Sequence, residues 1–94
     1  MVTVYFTSAI RQRTGDYETT IDYAGDVQGL LRLLANRYGP QLAEALTSPQ
    51  SGGGGLPGYV NIYVDGTDIR HLQALATPVG ADATVDLVPA VSGG

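Results

Sequence analysis

Hydrophobic and polar residues alternate with a period of two at both ends of the chain and with a helical period between them. At the start, Val2, Val4 and Phe6 fall on one face and Thr3, Tyr5 and Thr7 on the other, the pattern of a half-buried strand. Residues 11–16 end in the turn signal Thr14-Gly15-Asp16, and the run Tyr17-Glu18-Thr19-Thr20-Ile21-Asp22 follows. Its β-branched content suits an antiparallel return, so an opening hairpin is expected. After Gly25, Asp26 is placed to cap a helix whose apolar residues Val27, Leu30, Leu31, Leu34 and Tyr38 form one stripe. Gly39 and Pro40 stop that helix, and a short second helix is expected from Pro40 to Leu46.

Residues 47–58 contain four consecutive glycines, whose ordering costs much entropy with no side chains to offset it, and predict a flexible surface loop. The loop lacks the Lys-Ser/Thr and the following helix of a phosphate-binding loop. Beyond it Val60, Ile62 and Val64 alternate with Asn61 and Tyr63, and Asp65-Gly66 signals a tight turn before Asp68-Ile69-Arg70. A turn of helix is expected within 71–77, a turn at 80–83, and a last strand over Val85-Asp86-Leu87-Val88 stopped by Pro89. With strands at both ends of the order and a helix between, the first and last strands can lie side by side and parallel at the centre of a sheet. The expected fold is α+β of the β-grasp (ubiquitin-like) type: a mixed sheet of about four to five strands, one main helix across one face, and a flexible C-terminal tail. Residues 1–89 form the domain and 90–94 the tail. The opposite face, with Tyr5, Tyr63 and Val88, is left without an intrachain partner and suggests an interaction surface.

The chain has 94 residues, enough for one compact domain. Nine acidic residues against five basic ones, all arginine, give a net charge of −4, which disfavours nucleic-acid binding through a basic face. There is no cysteine, hence no disulfide, thiolate nucleophile or cysteine-based metal site, and no lysine for Schiff-base chemistry. The N-terminus lacks the charged and apolar regions of a signal peptide, and no apolar run is long enough for a membrane span. A cytoplasmic protein without membrane or nucleic-acid partners is expected.

Catalytic constellations are scarce. His71, the single histidine, has no cysteine or adjacent serine to activate and reads as a surface residue. Asp65-Gly66-Thr67-Asp68 lacks the remaining ligands of a calcium loop, with Ala76 where the twelfth-position Glu belongs. Asp16 and Glu18 read as solvated turn residues. The tail differs: Leu87-Val88-Pro89-Ala90-Val91-Ser92-Gly93-Gly94 carries no side-chain charge, and the α-carboxylate of Gly94, with a reference pKa of about 3.5, is its ionised group. Fully extended, residues 90–94 reach about 17 Å. Without Cβ atoms, Gly93 and Gly94 can thread a channel closed to bulkier residues.

The segments Val60–Arg70 and Leu87–Gly94 together with the opening Phe6-Thr7-Ser8-Ala9-Ile10-Arg11 and Thr14-Gly15 resemble the ubiquitin-like sulfur-carrier family of MoaD and ThiS type. The resemblance spans essentially the whole chain and is nearest to the actinobacterial MoaD-like, CysO-like branch, with Ser92 a mild departure. It implies a non-enzymatic co-substrate that itself binds no cofactor or metal. An activating enzyme of MoeB/ThiF type would adenylate Gly94 with Mg-ATP, and sulfide or a sulfurtransferase persulfide would displace AMP to leave a thiocarboxylate. A downstream synthase would accept the sulfur, and a protease could mature or recycle the tail. On this reading Gly94 carries the chemistry and Gly93 threads the tail. Tyr5, Tyr63, Val88 and Val91 form the docking face, with Arg11 or Arg70 at its rim. Two alternatives stay open: the small subunit of molybdopterin synthase, and a ubiquitin-like modifier or β-grasp interaction module.

Overall fold

The computed structural model describes residues 1–42 and 60–89. Strand β1 (Val2–Phe6) buries Val2, Val4 and Phe6, as the alternation requires. It pairs antiparallel with β2 (Glu18–Ile21), with Val2 opposite Ile21 and Tyr5 opposite Glu18. The expected hairpin is thus present as a strand pair, but its connection is corrected: residues 8–14 form helix α1 (Ser8–Thr14). Eleven residues separate the strands, far more than a tight hairpin turn uses. Coiling them satisfies their backbone groups and sends Ile10 into the core. Gly15, the centre of the turn signal, is the left-handed C-cap (φ 77°), its N–H donating to the Arg11 carbonyl at 2.7 Å.

Helix α2 (Val27–Tyr38) starts where Asp26 predicts: the Asp26 carboxylate accepts from the Gly29 N–H at 2.9 Å. Val27, Leu30, Leu31 and Leu34 are buried, and Tyr38 packs edge-on to Phe6 with ring centroids 5.3 Å apart. Gly39 caps the helix at φ 86°. Residues 40–42 are helical, and the rest of the expected second helix, 43–46, lies outside the described residues, as does the expected loop over 47–58.

Strand β4 (Val60–Val64) turns at Asp65 and Gly66, with φ 50° and 87°, into the two-residue strand β5 (Thr67–Asp68). Positive φ at both central residues is what a two-residue type I′ hairpin requires. The Asp65 carboxylate accepts from the Thr84 N–H at 2.9 Å, and the Asp65 N–H donates to the Thr84 carbonyl at 2.8 Å. The expected return over 68–70 is shorter than read: after Asp68 the chain enters 3₁₀ turns at Ile69–His71 and Ala74–Ala76. Thr77, a buried polar residue, is fully paired. Its hydroxyl donates to the Ala74 carbonyl and accepts from the Gln73 N–H, while its carbonyl accepts from Val27 at the start of α2.

The last strand, β7 (Thr84–Pro89), lies at the centre of a five-stranded sheet of order β2-β1-β7-β4-β5. It runs parallel to β1 (Val4 opposite Val85, Phe6 opposite Leu87) and antiparallel to β4 (Ile62 opposite Leu87). The central parallel pair is the one the terminal alternations predict. A second small sheet, β3 (Gly25–Asp26) with β6 (Pro78–Val79), has no counterpart in the sequence reading. No helix among the described residues is long and apolar enough to cross a membrane.

Candidate functional site

Two features meet at the end of β7. The first is the root of the tail. The Leu87 carbonyl accepts from both the Thr7 N–H (3.3 Å) and the Thr7 hydroxyl (3.1 Å). Thr7 is the N-cap residue of α1, yet its side chain makes no capping bond there; the hydroxyl holds the final strand instead. Beyond Leu87 the chain stays paired on the β4 side, Val88 opposite Asn61 and Pro89 opposite Val60. Gly93 and Gly94, and with them Val91 of the expected docking face, lie outside the described residues.

The second is the sheet face turned away from α2. Val4, Phe6, Ile62, Val64, Val85 and Leu87 are buried against the core, so the alternate residues Tyr5, Asn61, Tyr63, Asp86 and Val88 stand on the other side. The structure therefore brings Tyr5, Tyr63 and Val88 onto one face. Tyr5 is exposed, and Tyr63 and Val88 are half-buried. The register aligns Glu18, Tyr5, Asp86, Tyr63 and Asp68 in one row, one residue from each strand of the sheet.

The two arginines expected at the rim have separate settings. Arg70 is exposed but tethered: its guanidinium grips the Asp68 carboxylate through Nε (3.3 Å) and Nη2 (2.9 Å) and donates to Asn61 Oδ1 at 2.9 Å. Its hydrogen bonds hold the Asp68 carboxyl below the ordinary carboxylate range, and Asp68 in turn raises the Arg70 pKa. Arg11 lies with its guanidinium 3.8 Å above the Tyr17 ring and its Nε donating to the Phe6 carbonyl.

Of the residues set aside on sequence, His71 lies at the surface as read, whereas Glu18 is corrected from a turn residue to the first residue of β2, paired with Tyr5. His71 is exposed in a 3₁₀ turn, Glu18 is exposed, and Asp16 accepts from the Tyr38 hydroxyl at 2.8 Å. Asp65 is occupied with the Thr84 amide. Among the described residues no group of three or more His, Cys, Asp or Glu is placed to hold a metal ion. Sequence reasoning missed the parts played by Asp86, Asn61 and Thr7. Asp86 was within reach of the alternation, which puts it on the same face as Tyr5 and Tyr63, whereas Thr7 bonds to a residue eighty positions away.

Residues 4–94 match the ThiS family. The Sulfur carrier protein CysO of Mycobacterium tuberculosis and of Mycobacterium bovis is 37% identical over 95 residues, covering 99% of this chain and 98% of its own. The crystal structure of the M. tuberculosis CysO superposes with a TM-score of 0.80 at 30% identity, over 97% of this chain and all of that one. The solution structure of the small archaeal modifier protein 1 from Methanosarcina acetivorans superposes at 0.83 with 28% identity, over 99% and 95%. With a parallel central pair of terminal strands, a helix across one face and a family match reaching from the first strand to the last glycine, the chain is a β-grasp protein of the ThiS family.

Proposed function

We propose that the protein is a sulfur carrier, a co-substrate rather than an enzyme, acting in the cytoplasm. The observation that carries this reading is the family match over residues 4–94, which takes in both the docking face and the glycine tail. The chemistry asks little of the fold. A carboxylate is a poor electrophile because its leaving group is oxide, so the Gly94 carboxylate first attacks the α-phosphorus of Mg-ATP on an activating enzyme of MoeB/ThiF type. Pyrophosphate departs and an acyl adenylate forms. Hydrosulfide then adds to the acyl carbon and AMP leaves, giving a thiocarboxylate whose sulfur is anionic and strongly nucleophilic near neutral pH. A downstream synthase takes that sulfur. ATP and Mg belong to the activating enzyme; the carrier supplies one reactive terminus and a surface that positions it.

Tyr5, Tyr63, Val88 and Val91 are assigned to the docking face, Arg11 and Arg70 to its rim, and Gly93 to passage of the tail. Support comes from the common face of Tyr5, Tyr63 and Val88 and from its continuity with the strand that ends in the tail. The absence of Cys and Lys fits the role, since no internal thiol or amine can intercept the acyl adenylate.

Intact mass spectrometry after incubation with the activating enzyme, ATP and sulfide tests the reading. A carrier gains the mass of one oxygen replaced by sulfur, and loses that gain on deletion of Gly94. The likeness to an archaeal modifier protein favours one second reading, conjugation of Gly94 to lysines of other proteins. Gel-shifted conjugates without a sulfur-exchanged species would establish it. Lacking lysine, the chain would then modify targets singly rather than build lysine-linked chains on itself.

A further inference from the structure

Charge is unevenly distributed over this protein. Four of its five arginines, Arg11, Arg13, Arg32 and Arg37, lie on α1 and α2, and neither helix contains an acidic residue. Among the described residues the negative charge lies outside these two helices. On the open face the aligned row reads Glu18, Tyr5, Asp86, Tyr63, Asp68, a carboxylate on every second strand with a phenol between each pair. Strands are spaced about 4.8 Å apart, so the row is about 19 Å long and the backbones that carry successive acidic residues lie about 10 Å from one another. Among the described residues the row belongs to no group of three or more His, Cys, Asp or Glu placed to hold a metal ion, and its spacing is wide. It suits separate side chains on a protein surface. Asp68 is neutralised by Arg70, while Glu18 and Asp86 form no ion pair among the described residues.

We propose that the open sheet face is a docking surface for a cationic patch of a partner protein, whose arginine or lysine side chains lie over Tyr5 and Tyr63 and pair with Glu18 and Asp86. The inference rests on the proposed carrier function for the partner's identity and on the register for its chemistry. A tyrosine ring flanked by carboxylates attracts a cation both through its face and through its neighbours. The protein already contains one such contact, Arg11 over Tyr17. Arg70, tethered by Asp68 and Asn61, closes one end of the row and is unavailable as a counter-ion to Asp86.

The test has two arms. In an amide NMR titration at low ionic strength, a capped pentapeptide with arginine at its second and fourth positions should shift the signals of Tyr5, Asp86 and Tyr63. Salt and Asp86→Asn, which keeps the side chain's shape, should abolish the shifts. Shifts centred instead on Asp65 and Asp82, or unchanged in Asp86→Asn, would overturn the proposal. In the second arm, pyrophosphate release by the activating enzyme is followed against carrier concentration. Asp86→Asn and Glu18→Gln should raise KM roughly three- to tenfold with kcat unchanged and flatten its salt dependence. Unaltered KM and salt dependence, alongside turnover that requires Gly94, would sink the docking surface and leave the carrier reading standing. No turnover with the intact chain would sink the carrier reading, and the peptide titration still decides the surface.

Discussion

Single residues show how side chains are committed to one partner or another. Thr7 precedes a helix and is a common N-cap type, yet it donates to Leu87 rather than capping α1. Arg70 and Asp68 lie two residues apart, and their ion pair has a consequence with a definite sign. A carboxyl whose folded pKa is depressed adds stability at all pH values above the ordinary carboxyl pKa of 3.8, and that stability is lost as pH falls through the lower folded value. Arg70→Gln should therefore be less stable than the parent near neutrality, by about 0.2–1 kcal/mol given the exposure of the pair. The difference should narrow below pH 3.8, read from urea unfolding at a series of pH values. Tyr23 and Tyr38 carry the opposite sign. Burial raises both phenols above 10.0, so their contribution is whole below that pH and is lost as pH rises through the folded values.

At the level of elements, α2 was fully legible: the stripe Val27, Leu30, Leu31, Leu34, Tyr38 faces the core, and its cap and stop are Asp26 and Gly39. Helix α1 was not, because seven residues with Ile10 as the side chain driven into the core hold too little periodic signal. Its end was visible in Gly15, though not what the glycine ended. The small sheet of β3 and β6 pairs residues more than fifty positions apart through two-residue strands, too short for any alternation to show. Gly29 illustrates an element rule reversed by packing. In a helix interior Gly→Ala normally gains about 1 kcal/mol, but a Cβ on Gly29 would overlap the Tyr23 hydroxyl, which donates to the Asp26 carbonyl at 2.7 Å. Gly29→Ala alone should lose stability. In Tyr23→Phe the same change should recover it, a coupling of about 0.5–3 kcal/mol measurable by a double-mutant cycle in denaturant.

Across the whole molecule, the fold is arranged around β7, which has β1 on one side and β4 on the other and ends at the tail. Leu87→Ala should cost about 2–5 kcal/mol in urea unfolding, since Leu87 is fully buried and its neighbours belong to paired strands that cannot easily collapse into the space. The order of the long strands and of α2, the buried face of each, the glycine tail and the aromatic residues of the open face all followed from the sequence by itself. Those properties are local: they depend on spacing along the chain and on the conformations that Gly, Pro and β-branched residues permit. What only the tertiary structure decided is register and reach. The alignment of Glu18, Tyr5, Asp86, Tyr63 and Asp68 into one row, the hold of Thr7 on Leu87 and the pairing of β3 with β6 each join distant segments. A slip of one residue in any strand would turn its side chains to the other face, and periodicity within one strand carries no information about which residue of its neighbour it will meet.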